Sequence, residues 1–254
     1  MNSFTNLSTS TMTALARAEL TLLWRNRTAM ITALLLPAAM VAAIRPTVSQ
    51  FEGADELSMS GGIGFVLVFV VYYNLVTAYV ARREELVLKR LRSGEPTDLE
   101  ILAGSALPAV SLALAQCAVL VASGALLLDL GVPRRPDLLL AGLGLGLVMM
   151  AALAAASTVF TRNVELAQIT TMPLLLASLV GSGLVVPLDE LPHVMAELCQ
   201  LLPLSPVMTL VRAGWLGGPE AGAYEVLKAL ATALAWTALA VFAVRRWFRW
   251  EPRR

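Results

Sequence analysis

Side chains able to make and break bonds are scarce in this sequence. There is one histidine, His193, beside Pro192. It has no serine or cysteine at a spacing that would make it a general base, and no second histidine with which to share a metal. Cys117 and Cys199 fall in different kinds of segment and are spaced as neither a metal nor a redox motif, so packed thiols are the simpler reading. No G-x-x-x-x-G-K-S/T run is present to cradle nucleotide phosphates. The expectation is a chain with no catalytic residues, no metal site and no cofactor of its own.

What remains is chemistry of recognition. The stretch 82–100 reads RREELVLKRLRSGEPTDLE. Glu85 and Lys89 are four apart in the favourable acid-before-base order. Leu86, Leu88 and Leu91 give a short helix something to bury, Gly94 and Pro96 stop it, and Asp98 is placed to cap the next helix. A charged helix presented for docking is the sharper reading, and a solvated loop the plainer one. A second set of polar residues lies within apolar runs. Tyr72, Tyr73, Asn74, Thr77 and Tyr79 occupy one run; Gln168, Thr171, Leu175, Ser178 and Ser182 recur at three and four in another, on one helical stripe. Polar side chains at membrane depth avoid lipid, so they line a cavity or hydrogen-bond a neighbouring helix. Both readings stand for the stripe from Gln168 to Ser182; for Asn74 the helix-to-helix bond is the simpler one.

The elements that must hold these residues follow from composition. The chain has 254 residues, 57% hydrophobic and only 15% charged, with a mean hydropathy of +0.73. Soluble domains carry about 25% charged residues. Net charge is +1, which gives no reason to expect nucleic acid. A spanning helix needs about 20 mostly apolar residues. Six stretches meet or approach that: 28–47, 61–81, 101–128, 138–160, 167–186 and 226–244. None alternates as barrel strands do, so helices must satisfy the backbone in lipid. The first run follows a polar to amphipathic lead and is followed by more, so it reads as an uncleaved span. The predicted fold class is an all-α integral membrane domain over 1–254.

Lys and Arg set the orientation. Fourteen of them fall on the side of residues 82–100 and five on the other, which predicts both termini in the cytoplasm and Trp247 and Trp250 near the inner interface. Pro37, Pro108 and Pro173 fall within spans and predict kinks. Gly142 and Gly146 permit close helix approach, inside one subunit as the simpler reading or across a dimer seam as the alternative. Ahead of the first span, 13–27 has an apolar side formed by Ala14, Leu15, Ala18 and Leu22, and predicts an interfacial helix. The segment 187–225 holds two apolar stretches, 191–202 and 205–215, each too short to span; the expectation is an external re-entrant hairpin dipping into the outer leaflet. No charge lies mid-span, which disfavours an ion-coupled carrier and suits apolar or amphiphilic cargo.

In this order and spacing the sequence resembles the membrane subunits of type-2 ABC exporters, especially the daunorubicin-resistance-like drug exporter permeases. Residues 83–108, REELVLKRLRSGEPTDLEILAGSALP, are similar to that family's first cytoplasmic loop. Residues 161–217 are similar to its second half: Arg162, Asn163 and Glu165 in a short turn, Ser182–Gly183, Leu191–Pro192, Pro-Leu-Ser-Pro at 203–206, and Arg212 followed by Gly217. The chain departs from the family at Leu86, Val87 and Leu88, where Gly-Thr-Leu is common, and at Val185, Val186 and Pro187, where the family is often aromatic.

The resemblance implies a permease of a bacterial plasma membrane. It would pair with a second copy or a paralogue, on two cytoplasmic ATPase subunits that carry the ATP and Mg. It also implies ATPase coupling through Arg83, Glu84, Glu85, Leu88, Lys89 and Leu91. The substrate path it implies, between the second and fifth spans, would take in Tyr73, Asn74, Thr77, Gln168, Thr171, Ser178 and Ser182. The expected function is export of a hydrophobic or amphiphilic small molecule such as a drug or antibiotic. Two alternatives remain open: export of a lipid-linked glycan or peptide, and a non-transporting scaffold or immunity subunit.

Overall fold

The computed structural model describes residues 35, 39, 41–42, 54–92, 97–127, 131–183, 192–217 and 222–251, and among them all regular structure is helical. The expected interfacial helix at 13–27 and all but a few residues of the expected first span at 28–47 lie outside the described residues. Helical Val41 is buried, and a side chain added at Gly62 would meet its Cγ2 at 2.6 Å.

The expected second span, called so below, runs unbroken through three pieces: α1 (Ala54–Phe65), a π-helical stretch (Val66–Tyr73) and α2 (Asn74–Glu84). It begins earlier than the apolar run at 61–81 and carries the chain past the lipid-suited residues to Arg82 and Arg83. In the π stretch the wider i→i+5 turn leaves the amide of Asn74 on the carbonyl of Phe69. A short α3 (Val87–Arg92) follows, and then α4 (Asp98–Leu127), α5 (Pro136–Ser157), α6 (Val164–Gly181), α7 (His193–Gln200), α8 (Leu204–Leu216) and α9 (Ala223–Trp247).

Five of these helices are long and apolar enough to cross a membrane, and α7 with α8, bent by 92°, form either a broken sixth span or a re-entrant loop. Pro108 and Pro173 sit inside continuous helices α4 and α6. The helix ends differ from the apolar runs by a few residues because capping, not hydropathy, ends a helix. Asn163 caps α6 by accepting the Leu166 amide at 2.9 Å. The cap of α4 is Thr97 rather than the expected Asp98: Thr97 Oγ1 accepts the Glu100 amide at 3.3 Å while Glu100 Oε2 accepts the Thr97 amide at 2.7 Å. That reciprocal pair is a capping box, and it puts Asp98 in the first turn instead.

The core lies where α5 and α8 meet the second span, with α9 packed on α5 and α8. Nearly every residue of α8 from Leu204 to Trp215 is buried. This modifies the expected hairpin in lipid: α8 is sheathed in protein, while α7 exposes Val194, Met195 and Leu198. Gly142 and Gly146 of α5 make the close approach possible, since a Cβ at Gly146 would stand 2.8 Å from Val207 and 3.0 Å from Leu67. Both glycines therefore serve packing within this chain. The far end of α8 is tied to the start of α5 by the Arg135 amide on the Gly214 carbonyl at 2.9 Å.

Candidate functional site

At one end of the bundle the basic residues gather. The second span stops where Leu86 takes a left-handed backbone, φ 60°, which costs a side-chain-bearing residue about 1–2 kcal/mol. This break separates α2 from α3 and leaves Glu84, Glu85 and Leu86 exposed at the corner. The expected Glu85–Lys89 pair gives way to another, because Glu85 lies in the turn ahead of α3: Lys89 Nζ sits 2.9 Å from Glu251. Leu88 is wholly buried and anchors α3 to the bundle, while Leu91 is half-buried.

Arg92 joins three elements. Its Nε donates to Asp98 Oδ1 at 3.1 Å, and its guanidinium lies 4.9 Å from the Trp250 ring centroid, a cation–π contact. Trp250 in turn packs edge-on against Phe248 at 4.9 Å. The segment following α9 is thus strapped to α3 by Trp250 and Glu251. Sequence reasoning placed Trp250 at the interface but missed both partnerships, because they join residues far apart in the chain.

Arg83 differs from its expected role. It is 1% exposed and points into the bundle, where Nη1 donates to the Thr158 carbonyl at 3.0 Å, and Nη2 to the carbonyls of Thr161 at 2.5 Å and Arg162 at 3.3 Å. These carbonyls close the end of α5, where the helix dipole favours a cation. Arg83 and Leu88 are therefore enclosed within this chain. The exposed members of the expected coupling set are Glu84, Glu85 and Lys89.

The fifth-span stripe is divided. Thr171, Ser178 and Ser182 are wholly buried on α6 and the turn after it. Thr171 Oγ1 donates to the Ala167 carbonyl at 2.7 Å, Ser182 to the Ser178 carbonyl, and Ser205 of α8 to the Gly181 carbonyl at 2.9 Å. Arg212 of α8 donates to the Ser182 carbonyl. Ser205 and Arg212 were not linked to this stripe by sequence. Gln168 is exposed, because a three-residue step falls about 60° short of a full turn and carries it off the covered face. On the second span, Asn74 is exposed and Tyr73 and Thr77 are half-buried, with Thr77 donating to the Tyr73 carbonyl at 3.1 Å. The geometry therefore brings Tyr73, Asn74 and Thr77 to an open face and encloses Thr171, Ser178 and Ser182. His193 lies exposed on α7, 3.7 Å from Glu197.

Set beside known protein families, residues 11–216 match the model described as ABC-2 type transporter. No curated protein matches the chain.

Proposed function

The chain belongs to the ABC-2 type transporter family, and from that premise we propose that it exports a hydrophobic or amphiphilic small molecule, driven by a separate cytoplasmic ATPase. As a member it is a multi-pass permease component rather than the catalytic part of an ABC transporter. ATP and Mg belong to the partner, two permease chains stand on two ATPases, and both termini lie in the cytoplasm of a bacterial cell. The observation that carries the coupling role is the corner that leads into α3: a left-handed break turns this short helix off the second span at the basic end, and Glu84 at the end of α2, Glu85 in the turn and Lys89 on α3 are all exposed there. A helix so placed can pass a push from a soluble engine into the span that precedes it. The absence of mid-span charge supports apolar or amphiphilic cargo.

The test is co-purification with a cytoplasmic ABC ATPase of the same cell, followed by transport in vesicles. Replacing Glu84 and Glu85 with Ala is expected to leave ATP hydrolysis measurable while efflux falls at least tenfold. Undiminished efflux in that variant, or a permease that never binds an ATPase, would overturn the proposal.

A further inference from the structure

Between Val66 and Tyr73 the backbone of the second span is π-helical, and the Asn74 amide closes on the Phe69 carbonyl, five residues back. A π turn inside an α-helix takes up surplus chain: about one residue more fits between the same two ends. Both ends of this stretch are held. On the α1 side Ile63, Val66 and Leu67 are wholly buried, and Leu67 packs on Gly146 of α5. On the α2 side Arg83 grips the carbonyls of Thr158, Thr161 and Arg162.

The same chain has a second helical solution. If the stretch closes to regular α-helix while α1 stays, each residue of α2 moves into the place of its successor, a screw of about 100° and about 1.5 Å. The sequence is nearly degenerate under that step. Residues 70–85 read VVYYNLVTAYVARREE, with like neighbours at Val70 and Val71, Tyr72 and Tyr73, Arg82 and Arg83, and Glu84 and Glu85. Each pair puts a residue where its twin stood. Arg82 would enter the buried place of Arg83 on the three carbonyls, and Glu84 the place of Glu85 at the corner. Two positions oppose the step. Asn74 would enter the buried place of Leu75, and Tyr79 would leave the Leu102 carbonyl, to which it donates at 3.0 Å. Arg82 would also leave contacts of its own. The present register is therefore the resting one.

We propose that α2 has two registers one residue apart: the present one, its surplus residue taken up by the π stretch, and a second in which that stretch is α-helical and Arg82 replaces Arg83 on the α5 carbonyls. The step turns the corner at Leu86 and displaces it along the span, so a force on α3 selects between the registers. That use in coupling rests on the export proposal; the two registers do not.

The full-length chain in detergent tests them without a partner or ATP. With 3-fluorotyrosine at the four tyrosines, 72, 73, 79 and 224, fluorine NMR reads how strongly dissolved oxygen relaxes each ring, which follows exposure. In the natural chain Tyr72 and Tyr79 should be shielded and Tyr224, exposed on α9, strongly relaxed. Arg83→Met empties the carbonyl site in the present register, and only the shifted register refills it, with Arg82. Tyr72 then stands in the half-buried place of Tyr73, and Tyr73 in the exposed place of Asn74. Relaxation at both should rise several-fold while Tyr224 is unchanged. Adding Arg82→Met removes the replacement and should reverse the rise. Deletion of Val70 from the natural chain, which removes only the surplus residue, should leave a folded protein with relaxation at Tyr72 and Tyr73 unchanged. Relaxation that does not respond to Arg83→Met, or stays raised in the double variant, overturns the proposal. Should Arg83→Met fail to fold, the Val70 deletion decides: a lost fold, or a Tyr73 ring newly shielded, overturns it. Either failure leaves the export proposal standing, and a permease that never binds an ATPase leaves these measurements unchanged.

Discussion

Arg82 and Arg83 are adjacent and identical, yet one is half-buried and the other wholly buried. In sequence they share one expectation, since both belong to a basic cluster at the end of an apolar run. What separates them is about 100° of helix rotation, which aims Arg83 at three carbonyls in the turn after α5. Hydrogen bonds to a charged group contribute about 1.5–3 kcal/mol each when formed, and their loss leaves buried acceptors unpaired. Arg83→Met keeps the apolar stem and removes those bonds. It is expected to lower unfolding stability by about 2–4 kcal/mol, against about 0.5 kcal/mol for Arg82→Met. Thermal unfolding in a fixed detergent compares the two, and equal shifts would remove Arg83 from its structural role. The distinction could not be drawn from the sequence because the acceptors lie 75 to 79 residues away.

Among elements, α5 shows how far sequence patterning reaches. Its existence was legible because a run of apolar residues long enough to cross lipid has few other uses, and Gly142 and Gly146 at a four-residue spacing marked a close approach. The partner was not legible. It is α8, an arm that the sequence placed in lipid because α8 is too short to span and too apolar for water. Burial by protein satisfies the same two constraints, and hydropathy does not distinguish lipid from a neighbouring helix. The capping box at Thr97 and Glu100 was within reach of sequence, since Thr followed three residues later by Glu is its signature; Asp98, one residue on, is an equally good capping type and masked it. The glycines of α5 separate cleanly by face. Gly146 would thrust a side chain into Val207 and Leu67, whereas Gly144 meets nothing within 4 Å. Gly146→Leu is therefore expected to cost about 1–3 kcal/mol through overpacking, with loss of folded protein in size-exclusion profiles. Gly144→Leu should fold as well as the natural sequence or better, because it removes a glycine from a helix interior. Comparable loss from both would mean that α5 does not pack against α8 through this face.

For the whole molecule the question is which apolar surfaces meet lipid and which meet another chain. Ile169, Met172, Leu176 and Val180 of α6 are exposed and recur at three and four, on the side opposite the buried Thr171, Leu175 and Ser178. Leu227, Leu234, Leu239 and Phe242 of α9 are equally exposed. Composition alone treats the two stripes alike, since a lipid-facing helix and a helix at a seam are both apolar. The second span breaks the tie. It packs on α6 and carries the half-buried Tyr73 and Thr77 and the exposed Asn74, and an exposed amide facing hydrocarbon is unfavourable by several kcal/mol. A second copy across the α6 face would cover Asn74, and a two-fold seam would place each α6 near its counterpart. With Cys117 and Cys199 replaced by alanine, Leu176→Cys is expected to form disulfide-linked dimers under mild oxidation in membranes, because paired positions near a two-fold axis come within the about 4.4–6.8 Å that a disulfide requires. Leu239→Cys on α9 should stay monomeric under the same oxidation. Dimers from α9 and none from α6 would move the seam to the opposite side of the bundle and return the α6 stripe to lipid.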